Sequence, residues 1–242
     1  VSVTAACFQS VYYRMFDGSD ILYEDNHIMA VNKRSGMPVQ ADLSGDSALE
    51  DEVKAYIKRR DSKPGAVFLG VIHRIDRPVS GVVLLAKTSK ALARMNEAVR
   101  SRDIVKRYFA LVAEMPEKEE GELVHYIWRD GRKNRSYAYD APKRDAKEAR
   151  LRYRVAARSD RYVLLDIDLI TGRHHQIRAQ LSKSLSPIRG DLKYGAPRSN
   201  PDGSISLHAR SMTFTHPVTK ERITVTAPLP DDRVWNLFMD VR

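Results

Sequence analysis

The chain has 242 residues, 43% of them hydrophobic, which is enough for a sizeable core in one large domain or two small ones. Its 41 Lys and Arg outnumber 31 Asp and Glu, for a net charge of +10 and a pI near 9.7, so a polyanion is the first partner to consider. No stretch approaches the roughly 18 apolar residues of a spanning helix, and the single cysteine, Cys7, excludes an internal disulfide framework or a cysteine zinc cluster. Nucleic acid is thus favoured over membrane, and a reducing cytoplasm fits; a merely solvated basic surface is the competing reading.

The opening VSVTAACFQS lacks the basic start and long apolar core of a signal peptide, and residues 1–19 are expected to form an arm before a single compact domain over 20–242. DILYEDNHIMAVNK predicts two short strands joined at Asn26-His27. A helix is expected over residues 46–59, capped by Asp46 or Ser47, with Leu49, Val53 and Ile57 on its buried side. AVFLGVI, 66–72, and GVVLLAK, 81–87, read as buried strands, and HRIDRPVSG lies on the loop between them. Asp76 stands there among His73, Arg74 and Arg77, in the kind of loop by which a rigid scaffold presents chemistry.

Ser89 is placed to cap a helix carrying Leu92, Met95 and Val99, and VKRYFALVAE predicts a strand with Tyr108 near its start. Residues 129–154 hold ten Lys or Arg, among them Arg132, Lys133 and Arg135, against four acids, interleaved with Tyr137, Tyr139 and Tyr153 just after Trp128. A basic hairpin whose cations meet phosphates and whose rings stack on bases would suit looped RNA, though a solvated hairpin would have the same composition. In YVLLDIDLI, Leu165, Ile167 and Leu169 alternate with Asp166 and Asp168 as in a strand buried on one side. TGRHHQIRAQLSKS then turns at Thr171-Gly172 into a helix with Ile177 and Leu181 buried, which crowds Arg173, His174, His175, Gln176 and Arg178 at a corner suited to an anion. GDLKYGAP reads as a turn and SLHARSMTFTHP and RITVTAP as closing strands. This order, without regular βαβ alternation, predicts an α+β fold with a mixed, largely antiparallel central sheet and flanking helices.

Ser80 lacks the spacing of a nucleophile elbow. The adjacent His174 and His175 are expected to face different ways, which speaks against a shared metal. No glycine pattern supports a nucleotide cofactor. What remains is a carboxylate among arginines. An ionised carboxylate so held can act as a nucleophile or stabilise a developing cation, and an ordinary turn aspartate would have the same neighbours.

Three separated stretches add a resemblance. HRIDRPVSGVVLLAKT resembles the HRLDRxTSGxxLxAK motif of the RluA-type pseudouridine synthases, VKRYFALV is similar to their KxYxAxV strand, and ITGRHHQIRAQLS to their TGRxHQIRxHL segment. The resemblance spans about residues 20–242 and extends to GDLKYGAP, LHARSMTFTHP and VTAPLP. It implies the pseudouridine synthase fold and an isomerase that converts specific uridines of ribosomal or transfer RNA to pseudouridine, with no cofactor or metal, acting as a monomer in the cytoplasm. By it Asp76 is the catalytic aspartate, attacking ribose or base, and Tyr108 the tyrosine that stacks on the target base and is a candidate for taking the carbon 5 proton. Arg173 matches the arginine that pairs with the aspartate, and Arg74 the residue that fills the stack left by the flipped uridine. His73, Arg77, Gln176, Arg178, Arg132, Lys133 and Arg135 are the further residues expected on the substrate. The chain departs from the pattern at Ile75, at Pro78-Val79, which lacks a threonine hydroxyl, and at Gln180, which stands where histidine is frequent. The family's optional N-terminal RNA-binding module is not expected, which would leave RNA affinity to the basic hairpin. The competing readings are an RNA-binding protein of this fold without the chemistry, and a hydrolase using the same carboxylate.

Overall fold

A computed structural model describes residues 15–42 and 45–241. The greater part of the expected arm, Cys7 included, lies outside the described residues. Its last residues do not behave as an arm: Phe16 is buried edge-on against Tyr56 at 5.4 Å, and its N–H donates to Glu52 at 3.0 Å. A large aromatic side chain there has more to gain from burial than from water, so the packed body begins no later than Phe16.

The strands are β1 (Ile21–Glu24), β2 (Ile28–Lys33), β3 (Gly70–Val71), β4 (Ser80–Ala86), β5 (Val105–Val112), β6 (Glu120–Asp130), β7 (Arg135–Tyr139), β8 (Lys147–Arg158), β9 (Val163–Leu169), β10 (Leu207–Thr215) and β11 (Arg222–Thr226). They form one sheet in the order β1-β2-β4-β10-β5-β9-β8-β6-β7, with β11 paired to β10 and β3 to β4. Every pairing is antiparallel except β4 with β10. The helices are α1 (Leu49–Arg60), α2 (Ser89–Arg100) and α3 (Gln176–Ser184). The expected α+β class with a mixed, largely antiparallel sheet is the class observed.

The middle of the sheet is covered on both faces, which is why its strands read as continuous apolar runs. In β4, Val83 and Leu85 join a core with Met29 and Val31 of β2, Val53 and Ile57 of α1, and Ile177 and Leu181 of α3. The alternate residues Val82, Leu84 and Ala86 pack on the opposite face with Ala91 and Met95 of α2. Tyr108, Ile75 and Val79 belong to the first core, so the catalytic candidates sit on the face covered by α1 and α3.

Several local expectations need correction. AVFLGVI pairs over only two residues, and Phe68 is exposed: β10 occupies the remaining edge of β4, at Ser80 and Gly81, leaving only its far end to β3. α1 starts after Ala48 with no side-chain cap, because the N–H groups of Leu49 and Glu50 donate to the carbonyls of Pro38 and Val39 at 2.9 and 3.1 Å. The cap of α2 is Thr88, whose hydroxyl accepts from Ala91 at 3.1 Å, one residue before the expected Ser89. β9 is not one-sided in its first half, since Leu164 packs under Trp235 and Phe238 while Asp166 is buried against Arg154 at 2.7 Å. Residues 129–154 are not a single hairpin but the ends of β6 and β8 with β7 between the turns.

The parallel contact fixes where the HRIDRPVSG loop ends. Gly81 has φ +112°, and a Cβ there would lie 2.3 Å from the Ala209 carbonyl oxygen. Gly81→Ala must therefore push β4 from β10; we expect a loss of roughly 3 kcal/mol, read as a fall of about 10 °C in Tm by calorimetry.

Candidate active site

The loop between β3 and β4 is tied down through three consecutive carbonyls. That of Asp76 accepts Val79 N–H at 3.0 Å, that of Arg77 accepts Gly36 N–H at 2.8 Å, and that of Pro78 accepts Ile205 N–H at 3.1 Å. The Arg77 carbonyl also receives the ammonium of Lys33 at 3.1 Å, which donates to the carbonyls of Arg34 at 2.8 Å and Met37 at 2.9 Å. Lys33 is wholly buried; burial pushes its ammonium down to about 7, against the pull of the Asp76 carboxylate. Backbone contacts and one buried lysine thus hold the loop at Pro78-Val79, where the threonine is missing. In the sequence Lys33 is only the last residue of a strand, and nothing in its spacing marked it.

Asp76 faces Arg178, whose Nη1 lies 2.9 Å from its Oδ2. Arg178 sits in the first turn of α3, itself buried, and its Nε and Nη2 bond both oxygens of the buried Asp191 at 2.7 and 2.8 Å. Burial opposes the guanidinium charge, but the Asp191 and Asp76 carboxylates more than offset it and leave its pKa raised. The arginine on the aspartate is therefore Arg178, not Arg173. Arg173 lies in the turn before α3, and its half-buried side chain donates to the Glu148 carbonyl at 3.0 Å. The missed signal is Asp191 in GDLKYGAP, a second carboxylate able to hold a guanidinium from the far side.

His175 approaches the same Asp76 oxygen with Nε2 at 3.5 Å, while its Nδ1 lies 3.0 Å from the Tyr194 hydroxyl. That hydroxyl accepts the Ser136 N–H of β7 at 2.8 Å, and the Arg178 guanidinium lies over the Tyr194 ring at 4.9 Å. Burial, then the positive charge of Arg178, pushes His175 down to about 2, so it faces Asp76 as a neutral imidazole. His174 and His175 do not point apart as expected. His175 has φ 50°, a left-handed backbone, and its ring stacks on that of His174 at 3.8 Å. Among the described residues no cluster of three or more His, Cys, Asp or Glu is placed to hold a metal.

Above Asp76 opens a cleft of about 760 Å³. Asp76, Tyr108, Arg173, Arg74, His73, Arg77, Gln176 and Arg178 all line it. Three of these are occupied as braces rather than turned to a ligand. His73 accepts the Leu84 N–H on Nε2 at 3.0 Å and is held down near 3 by burial and then by Lys106. Arg77 clasps Asp46 and the Gly36 carbonyl, the latter at 2.7 Å. Gln176 accepts from Thr171 and Arg173 at 2.8 and 3.0 Å and donates to the Arg150 carbonyl at 3.0 Å. Arg74 is exposed, and Tyr108 is buried in the wall with its phenol pushed up by burial and then by the Asp76 charge. Lys106, two residues before Tyr108 and so on the same strand face, also lines the cleft, with a pKa lowered by burial. Arg129 and Lys193 complete the cationic rim, with the neutral Asn134 beside them. Arg132 and Lys133 are exposed in the turn beyond it, whereas Arg135 folds back over the rings of Tyr137 and Tyr194, at 5.3 and 5.1 Å.

A carboxylate held by a buried arginine in a cationic cleft beside a tyrosine is an arrangement suited to an enzyme that acts on a polyanion. The profile of the family described as RNA pseudouridylate synthase matches residues 27–183. The chain is 32% identical to an uncharacterized RNA pseudouridine synthase of Bacillus subtilis, over 88% of this chain and 70% of that one. It is 32% identical to the ribosomal large subunit pseudouridine synthase D of Xanthomonas campestris, over 88% and 66%, and to synthase C of Escherichia coli, over 87% and 66%. The chain thus spans about two thirds of the length of the synthases C and D. Among solved structures, the human RNA pseudouridylate synthase domain containing 4 superposes with a TM-score of 0.74 at 25% identity, covering 91% of this chain and 92% of that one. The chain belongs to the RNA pseudouridylate synthase family, isomerases that act on RNA.

Two measurements check this geometry. Arg178→Lys gives up the fork that holds both carboxylates and should lower turnover on RNA roughly 100-fold, whereas Arg173→Lys should leave the Asp76 contact intact and cost less than about ten-fold. For Lys33 the folded pKa, about 7, lies below the ordinary 10.5. The unfolded chain therefore binds an extra proton between those values, and stability rises with pH across that window. Urea midpoints taken from pH 7 to pH 10 should climb less in Lys33→Met than in the parent, although the variant starts lower for want of three hydrogen bonds.

Proposed function

We propose that this protein converts a uridine of ribosomal RNA to pseudouridine, with Asp76 as the nucleophile. The observation that carries the reading is the Asp76 carboxylate, paired with and aimed by Arg178 in a cationic cleft beside Tyr108. The names of the synthases C and D support the large ribosomal subunit as the source of the RNA, and ribosomal RNA in turn implies work in the cytoplasm.

In the proposed reaction Asp76 attacks the ribose anomeric carbon or the base. The bond from that carbon to N1 breaks, the base turns, a bond to C5 forms, the bond to Asp76 breaks and frees the carboxylate, and the C5 proton leaves as N1 gains one. A paired uridine must first leave its helix to reach the floor, and exposed Arg74 at the rim is suited to fill the gap. Tyr108 is suited to stack on the flipped base. Its phenol is a poor base while Asp76 is charged, but covalent attachment neutralises that carboxylate and removes one cause of the raised pKa, so proton removal from C5 becomes easier after attack than before it. Lys106 and Lys193 are placed for phosphate or uracil oxygens.

Asp76→Asn should abolish pseudouridine formation, measured by tritium release from carbon 5 of labelled RNA, while RNA binding stays within about three-fold of the parent. Retained turnover would sink the nucleophile, and release of free uracil by the parent would turn the reading to a hydrolase. The exposed pair Arg132 and Lys133 should act through phosphates: changing both to alanine should weaken binding and lower the slope of log K against log salt by about 2. Transfer RNA accepted in preference to ribosomal RNA would replace the substrate but not the chemistry.

A further inference from the structure

On the face of the β6–β7 ribbon turned away from the cleft lies a second surface, one that the reaction above does not use. In β6 the side chains of His125 and Ile127 are buried, and His125 is bonded from α3 by Gln180 at 3.0 Å and Ser184 at 3.2 Å. Side chains alternate along a strand, so Tyr126 and Trp128 must point the other way. In β7 it is Ser136 that is buried under Tyr194, which sends Tyr137 and Tyr139 to that same outer side. The register pairs Tyr126 with Tyr139 and Trp128 with Tyr137, so four aromatic side chains form a two-by-two array. β7 ends the sheet, and each of the four rings remains partly exposed.

Two cations lie over these rings. Lys143 Nζ lies 4.1 Å from the centre of Tyr139 and 5.4 Å from that of Trp128, and the Arg135 guanidinium 5.3 Å from Tyr137. Cross-strand aromatic pairs by themselves stabilise a ribbon, and that alone would account for two rings. Four partly exposed rings on an edge ribbon, with cations resting on their faces and the exposed Arg144 next to Lys143 in the chain, form a surface on which bases can stack while their phosphates find charge. The charge decides the occupant: a protein partner would need acidic side chains throughout, whereas a nucleic acid supplies both the planar rings and the anions.

We propose that the outer face of the β6–β7 ribbon is a stacking platform for unpaired nucleotides of the RNA, centred on Trp128 and Tyr137 and flanked by Lys143. This rests on the reading of the protein as an RNA synthase and extends it: the enzyme grips a single-stranded flank outside the cleft, and so favours uridines next to unpaired RNA.

The chain supplies its own reporter, because its two tryptophans are Trp128 on the platform and Trp235, which is buried. Titrating the full chain with oligouridine of about 16 nucleotides should quench tryptophan fluorescence, while a blunt duplex of equal length should quench far less. In Trp128→Phe the signal should be flat. Trp128→Ala should weaken single-strand binding roughly ten-fold with an unchanged salt slope, because stacking releases no counterions. Should Trp128→Ala fail to fold, the quench in the parent and in Asp76→Asn, whose platform is intact, decides. The platform is overturned if a labelled strand binds, by anisotropy, without quenching Trp128, if strand and duplex quench alike, or if concentration-dependent self-association protects Trp128 instead. A failure of any RNA to bind would overturn the synthase reading itself, a result distinct from binding without quenching.

Discussion

A buried guanidinium between two carboxylates is the constraint on which the site depends. Arg178 is held on one side by Asp191 through two hydrogen bonds, and what it offers on the other side is a single donor to Asp76. A lone buried arginine would be costly and mobile; with Asp191 below it, the charge is satisfied and the direction fixed before any substrate arrives. The two carboxylates differ in what remains open to them. Asp191 is almost wholly enclosed and spends both oxygens on Arg178, whereas Asp76 keeps part of its carboxylate in the cleft. One is a structural anchor and the other is left chemically available.

The same economy governs the backbone around Asp76. Three successive carbonyls of its loop accept N–H groups from separate segments, one in its own turn, one in the turn after β2 and one just before β10. The floor of the cleft is therefore not a flexible loop resting on a sheet but a junction of three chain segments. Lys33 extends that junction by drawing three carbonyls onto one ammonium. Tyr194 does the equivalent among side chains, touching His175, Arg178 and the backbone of β7, so that the ribbon and the carboxylate share a neighbour.

How much of this could be read from the sequence varied with the range of the interaction. Asp76 and Tyr108 were singled out only through the resemblance of their motifs, since the local residues fit an ordinary turn aspartate equally well, whereas the strands were legible because burial on both faces writes itself as unbroken hydrophobic runs. Arg173 and Arg178 have the same side chain five positions apart, and only the direction in which each leaves the corner tells them apart. That direction is set by Asp191 and by the left-handed turn at His175, neither of which has a local signature. The cap of α1 was misplaced for a similar reason: the carbonyls of Pro38 and Val39 arrive from outside the helix and make a side-chain cap unnecessary. AVFLGVI was long enough for a full strand but had too little free edge to pair with. Competition for an edge is a property of the sheet, not of the segment.

The position of β10 has a consequence in time. It lies between β4 and β5, although those strands precede it by some hundred residues, and its first residues make the parallel contact at Ser80 and Gly81. During synthesis the HRIDRPVSG loop, Tyr108 and Arg178 all leave the ribosome before the strand that joins the two halves of the sheet. The sheet that carries the cleft is thus incomplete until β10 has been made. Its strand order acts as a built-in delay, since neither half of the sheet can close on the other before that strand exists.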